Sequence, residues 1–243
     1  MSRRAKMTLT AELVERVHRA VADAGPPSGF IALTDHDYDE WRRALLAEHP
    51  KDADLWLFAY GSLIWKPACE VEDHGLALLR GWHRKFCLHL KRFRGTPDLP
   101  GLMMALDRGG SCRGVLQRIP ARHVEERLDL LLRRETSVKP ASNTPQWVRV
   151  ESSSNSQRAI TFTINRKGPT YCRRTLAETA EILAKACGHW GTGAEYLLHT
   201  VAHLEARGIH DPYLWKLQRL VAELIEPSSS GAPVDLVTRR HQP

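Results

Sequence analysis

Apolar residues recur about one helical turn apart near the start of the chain. In TLTAELVERVHRAVADA, residues 8–24, Leu9, Leu13, Val17 and Val21 line one side while Glu12, Glu15 and Arg16 lie mostly elsewhere, which predicts a short amphipathic helix. GPPSG at 25–29 ends it, and the acidic DHDYDEW at 35–41 opens a second helix running to about Ala47. From 55 to 118 strand signals dominate: LWLFAY, LALL, KFCLHL, LMMAL and RGVLQRI, separated by RGW, RGTPDLPG and DRGGSC. A helix follows over 121–134, where Val124, Leu128, Leu131 and Leu132 share a face. QWVRVES and QRAITFTIN flank SSSN as a hairpin, and 173–187, 194–207 and 212–225 read as three more helices. Strands cluster first and helices last, so the expected class is α+β rather than an alternating parallel α/β sheet. Residues 1–53 read as a helical extension packed on a main domain of 54–226, and the Ser-, Pro- and Arg-containing stretch 227–243 reads as a mobile tail.

Composition narrows the class. The 243 residues are 42% hydrophobic and 26% charged, as in an ordinary globular protein. No apolar run approaches the roughly 20 residues of a membrane span, and MSRRAK is not followed by the apolar region of a secretory signal, so a cytoplasmic location without membrane contact is expected. Cys69, Cys87, Cys112, Cys172 and Cys187 are odd in number and show no short paired spacing, which points to reduced, mostly buried thiols rather than disulfides or a zinc site. The formal charge of +7 is densest in RGWHRKFCLHLKRFR, residues 80–94. There Phe86, Leu88 and Leu90 alternate with Lys85, Cys87 and His89, the pattern of a strand with one wet basic face. Such a face attracts acidic small molecules at most; no nucleic-acid motif accompanies it, and no obligate protein partner is evident.

Candidate chemistry is sparse. Tyr60-Gly61-Ser62-Leu63 interrupts an apolar run, and a Gly-Ser turn at a strand end leaves backbone N–H groups free for a carboxylate or an oxyanion, or is simply where the strand stops. Glu135 follows an amphipathic helix whose negative end would raise its pKa and suit it to general-base work; the plainer alternative pairs it with Arg133 or Arg134 at the surface. His199 and His203 share a helix face at metal-ligand spacing, but HEXXH is absent and core or surface histidines are the better reading. Ser62 lacks the second glycine of a nucleophile elbow.

Together, WLFAYGSLIWKPACE (56–70), LRGWHRKFCL (79–88), RGTPDLPGL (94–102), LDRGGSCRGV (106–115), LLLRRE (130–135) and EYLLHTVAHLEARGIHDPYL (195–214) resemble the ChaC family, the γ-glutamylcyclotransferases that degrade glutathione. The resemblance spans roughly 55–220 in the family order. It implies a small closed or partly closed β-barrel ringed by helices, no metal and no organic cofactor, and glutathione as the partner. It also implies that Tyr60, Gly61, Ser62 and Leu63 bind the γ-glutamyl group, with Ile64 and Trp65 supporting the loop. Glu135 takes the family's catalytic place, and Tyr171 of GPTYCRR lines the same pocket. The chain departs from the family in having no tyrosine between Tyr60 and Tyr171; Asn143 or Ser142 takes the place of a tyrosine that usually follows the catalytic glutamate. The expected activity is a lyase reaction that converts glutathione to 5-oxoproline and cysteinylglycine. The competing expectations are another γ-glutamyl peptide or amine as substrate, and a non-catalytic γ-glutamyl-binding module.

Overall fold

A computed structural model describes residues 6–152 and 155–226. Its nine strands are β1 (Ile31–Ala32), β2 (Leu55–Ala59), β3 (Glu72–Leu90), β4 (Gly101–Ile119), β5 (Val138–Lys139), β6 (Asn143–Ser152), β7 (Ser156–Ile164), β8 (Cys187–Gly188) and β9 (Gly191–Thr192). The six α-helices are α1 (Ala11–Val17), α2 (Asp35–Ala47), α3 (Val124–Glu135), α4 (Leu176–Lys185), α5 (Gly193–Ala206) and α6 (Pro212–Ile225). Strands β2-β4-β3-β6-β7 form a closed barrel, shut by parallel pairing of β7 with β2 and β4. The expected α+β class and barrel are present.

The segments LALL and KFCLHL are one strand, as are LMMAL and RGVLQRI. β3 and β4 pair antiparallel from end to end, with register shifts between Arg80 and Trp82 and between Phe86 and Leu88. Gly81 (φ 79°) takes the left-handed conformation inside β3, so the strand kinks at the shift instead of stopping. A bent strand can serve both ends of a small barrel, which the breaker residues alone do not reveal.

The predicted helix over 8–24 is also shorter. α1 ends at Val17, its C-cap His18 is extended, and tertiary partners claim the residues that follow: the Arg19 guanidinium donates to Lys185 O at 3.2 Å, and Asp23 pairs with Arg92 at 2.6 Å. Tertiary contacts here outweigh helical periodicity. α2 matches expectation and is fixed by a Thr34–Asp37 capping box.

The basic stretch 80–94 is not a plain wet face. Cys87 is buried with Leu88, Leu90, Ala105 and Ile164 in a second apolar cluster. Arg80, Arg84, Arg92 and Arg94 are ion-paired with Glu151, Asp211, Asp23 and Glu195. Cys112 and Cys187 are buried as well, while Cys69 and Cys172 are half-buried, all as free thiols. The main core joins barrel residues to α3–α6 and includes Leu9, Leu13, Tyr38 and Leu45, so α1 and α2 share the domain's own core. The stretch 227–243, expected to be a mobile tail, lies outside the described residues.

Candidate active site

β2 delivers Tyr60 to the end of the barrel, where the chain leaves the ladder and turns. The turn is a single 3₁₀ turn, Ser62–Ile64, made by bonds from Ile64 N to Gly61 O (2.9 Å), Trp65 N to Ser62 O (3.2 Å) and Lys66 N to Ser62 O (2.8 Å). The first N–H groups of such a turn have no acceptor within it. Tyr60, Leu63 and Ile64 are buried and anchor the turn in the core, while Ser62 is half-buried. A Cβ on Gly61 would lie 3.0 Å from Met104 Cε and 3.3 Å from the Tyr196 hydroxyl, so glycine stands where other side chains approach the backbone closely.

Glu135 is the last residue of α3. Val124, Leu128, Leu131 and Leu132 bury the helix against the core, and Thr136 ends it by donating from both N (3.0 Å) and Oγ1 (2.6 Å) to Leu132 O. The glutamate side chain is only 16% exposed, and its nearest cation, Arg134, stands 3.7 Å away, too far for a good hydrogen bond. Arg133 is occupied by Asp129 and Asp35. Burial pushes the Glu135 carboxyl up from 4.5 to about 7, against a smaller lowering by Arg134. The largest physical cause is desolvation.

Two tyrosines share this carboxyl's surroundings. Tyr60 and Tyr196 both have hydroxyls pushed upward, first by burial and next by the charge of Glu135; Tyr196 reaches about 12. Both are neutral donors at physiological pH. Tyr196, on α5, is fixed by an edge-on contact with Phe86 (6.1 Å), by Trp65 (5.9 Å) and by Arg94 over its ring (5.4 Å). Trp65 in turn stacks on His203 at 5.2 Å, whose Nδ1 bonds His199 O at 2.7 Å. His203, steadied by that bond, thus packs against the loop's tryptophan. Among the described residues, no three His, Cys, Asp or Glu side chains converge to hold a metal ion.

The turn has a buried clamp. Arg84, with its side chain 2% exposed, donates from Nε to Tyr60 O at 2.7 Å, from Nη1 to Asp211 at 3.1 Å and from Nη2 to Arg113 O. Asp211 caps α6 by accepting from Tyr213 N and Leu214 N, each at 3.1 Å. One guanidinium thereby ties the Tyr60 carbonyl to a barrel strand and to a helix start.

The structure brings Tyr60, Gly61 and Glu135 together, with Ser62–Trp65 completing the turn. The contacts of Tyr171 are with other residues. The Tyr171 hydroxyl donates to Asp107 Oδ2 at 3.1 Å, its backbone bridges Leu88, and its ring packs on the second apolar cluster. Besides Tyr60, Tyr196 lies close enough for the charge of Glu135 to raise its hydroxyl. In the sequence Tyr196 looks like one more apolar-face residue of an amphipathic helix, and Arg84 like one more surface cation, so neither carried a separable signal.

A buried carboxyl raised to about 7, with two neutral tyrosine hydroxyls and a 3₁₀ turn nearby, is an arrangement suited to general acid–base chemistry on a polar ligand. The chain belongs to the ChaC family, whose model, described as ChaC-like protein, matches residues 55–224. It is 37% identical over 184 residues to a glutathione-specific γ-glutamylcyclotransferase of Escherichia coli, covering 75% of this chain and 79% of that one. It is 29% identical to glutathione-specific γ-glutamylcyclotransferase 1 of Mus musculus, covering 63% and 71% of the two chains. Its fold is that of a crystal structure of the γ-glutamyl cyclotransferase specific to glutathione from yeast. The two superpose with a TM-score of 0.62 at 21% identity, over 72% of this chain and 100% of that one.

Proposed function

We propose that this protein is a γ-glutamylcyclotransferase that cleaves glutathione to 5-oxoproline and cysteinylglycine. The observation that carries the proposal is Glu135: a buried carboxyl, held near 7, beside the Tyr60-Gly61 turn. In glutathione the glutamyl α-amine is free and can close a five-membered ring on its own γ-carbonyl, so the substrate supplies its own nucleophile. The enzyme's work is to fold that chain and to move protons from the attacking nitrogen to the leaving one. Glu135 as carboxylate takes a proton from the ammonium. The amine attacks the γ-carbonyl carbon, forming the ring C–N bond and placing negative charge on the carbonyl oxygen. When the intermediate collapses, the bond to the cysteinyl nitrogen breaks, Glu135 returns its proton to that leaving nitrogen, and the second proton of the ring nitrogen passes to the same amine, which departs as an ammonium and leaves the neutral lactam. The N–H groups of the 60–63 turn hold the glutamyl carboxylate or the developing oxyanion. Ring closure involves no change of oxidation state, and the scheme assigns no step to a metal or organic cofactor. A compartment that keeps glutathione and the five free thiols reduced, the cytoplasm, is where the reaction belongs.

The test is incubation with glutathione and with a panel of γ-glutamyl dipeptides and amines, with 5-oxoproline detected by mass. Release from glutathione ahead of the others supports the reading, and no release from any of them sinks it. A γ-glutamyl compound other than glutathione is the second reading. It is favoured by the departure after Glu135, where buried Asn143 stands near the place of a tyrosine and its Oδ1 has no hydrogen-bond partner among the described residues.

A further inference from the structure

The family model begins at residue 55, so the segment before it lies outside the matched unit. Part of that segment is nonetheless bound to the chain that immediately follows Glu135. Thr136 is the next residue, and its carbonyl accepts a buried hydrogen bond from the Tyr38 hydroxyl at 2.9 Å. Just before Glu135, Arg133 lies over the Tyr38 ring at 4.4 Å and pairs with Asp35 at 2.8 Å. Just after it, Leu33 N donates to Ser137 O at 3.0 Å, and β1 pairs antiparallel with β5, Ala32 against Val138 and Ile31 against Lys139. Asp37 and Lys139 close the same contact as an ion pair. Residues 136–139 are thus engaged one after another by residues 31–38.

We propose that residues 31–38 are a brace that fixes the Glu135 carboxyl, with Tyr38 as its positioning residue acting through Thr136. The inference rests on Glu135 being the proton carrier. A connection leaving an active-site helix has few contacts of its own and opens easily unless something pairs with it. A displacement of about 1 Å at a reacting group costs on the order of a hundredfold in rate, so fixing the Thr136 carbonyl bears directly on the glutamate one residue away. Core filling alone would need only the Tyr38 ring; the hydroxyl bond and the added strand go further and hold backbone. The groups facing Glu135 are Arg134 on its own helix, Tyr60 from the turn and Tyr196 from α5. The brace's charges are spent on Arg133 and Lys139, so it acts by holding position and excluding water, not by adding a charge at the carboxyl.

Tyr38→Phe keeps the ring and removes the hydroxyl bond. With glutathione, kcat should fall about tenfold while KM stays within about twofold, a tenth of the loss given for a full 1 Å misplacement. The acidic limb of the kcat–pH profile should also move, its midpoint sliding from about 7 toward 4.5 as water reaches the carboxyl. Lys139→Met, a half-exposed position at the far end of the brace, should shift both readouts in the same direction by less. Parent-like kcat and midpoint in both variants, or a lowered Tm with neither readout changed, overturns the brace and leaves Tyr38 as a core residue. A parent enzyme that releases 5-oxoproline from no γ-glutamyl compound overturns the proposed function, and the brace with it.

Discussion

Glu135→Gln should do two opposite things, and the structure sets the size of each. Glutamine keeps the shape of the side chain but neither takes nor returns a proton. Positioned acid–base groups contribute about 10²–10⁴-fold, so kcat for glutathione should fall by at least that order. Stability should move the other way. Burial lifts the carboxyl from 4.5 to about 7, which makes its ionised form on the order of 3 kcal/mol costlier in the folded than in the unfolded state. A group whose folded pKa is raised in this way favours folding while protonated and loses that advantage as pH rises from 4.5 through 7. The variant has no such group, so relative to the parent it should gain up to about 3 kcal/mol at pH 8.5 and little at pH 4. The assays are 5-oxoproline release, denaturant unfolding at the two pH values, and calorimetry with glutathione, whose binding should survive because the 60–63 turn remains. A variant that turns over glutathione at more than about a tenth of the parent rate shows that Glu135 is not the base. Equal stability gains at both pH values would refute the buried, near-neutral carboxyl.

Tyr196→Phe keeps the ring against Trp65, Phe86 and Arg94 but removes a neutral donor beside Gly61; kcat should drop by about 10²-fold if that hydroxyl meets developing charge, with Tm little changed. Parent-like turnover would remove Tyr196 from the site. Arg84→Met leaves Asp211 without its cation and the Tyr60 carbonyl without its clamp, so unfolding free energy should fall by about 3–5 kcal/mol and KM should rise; an unchanged denaturation midpoint would contradict the buried clamp. Tyr171→Phe loses the bond to Asp107 and the one accepted from Arg173 Nε, both away from the proton carrier, so turnover should stay within about twofold of the parent, well below the loss tied to an acid–base group. A loss of a hundredfold would return Tyr171 to the pocket.

The sequence by itself determined the elements with a strong period and the residues with an unusual local setting. The α+β class, the β6–β7 hairpin and helices α2 to α6 were legible because apolar spacing reports which side of an element faces the core, and that holds locally. Glu135 and the Tyr60–Leu63 turn stood out because each breaks its own pattern, a carboxyl at the end of an apolar helix and a glycine in an apolar strand. Tertiary structure decided what depends on partners distant in sequence. It shortened the helix expected over 8–24, because Lys185 and Arg92 claim the residues beyond Val17. It joined four apparent strands into two, since a glycine that looks like a stop is a kink once the opposite strand continues its ladder. It placed Tyr196 near Glu135, and it buried Arg84, which composition counts as surface charge. It also supplied the reason for the raised Glu135 carboxyl: desolvation depends on what surrounds a group in space, and no spacing along the chain encodes that.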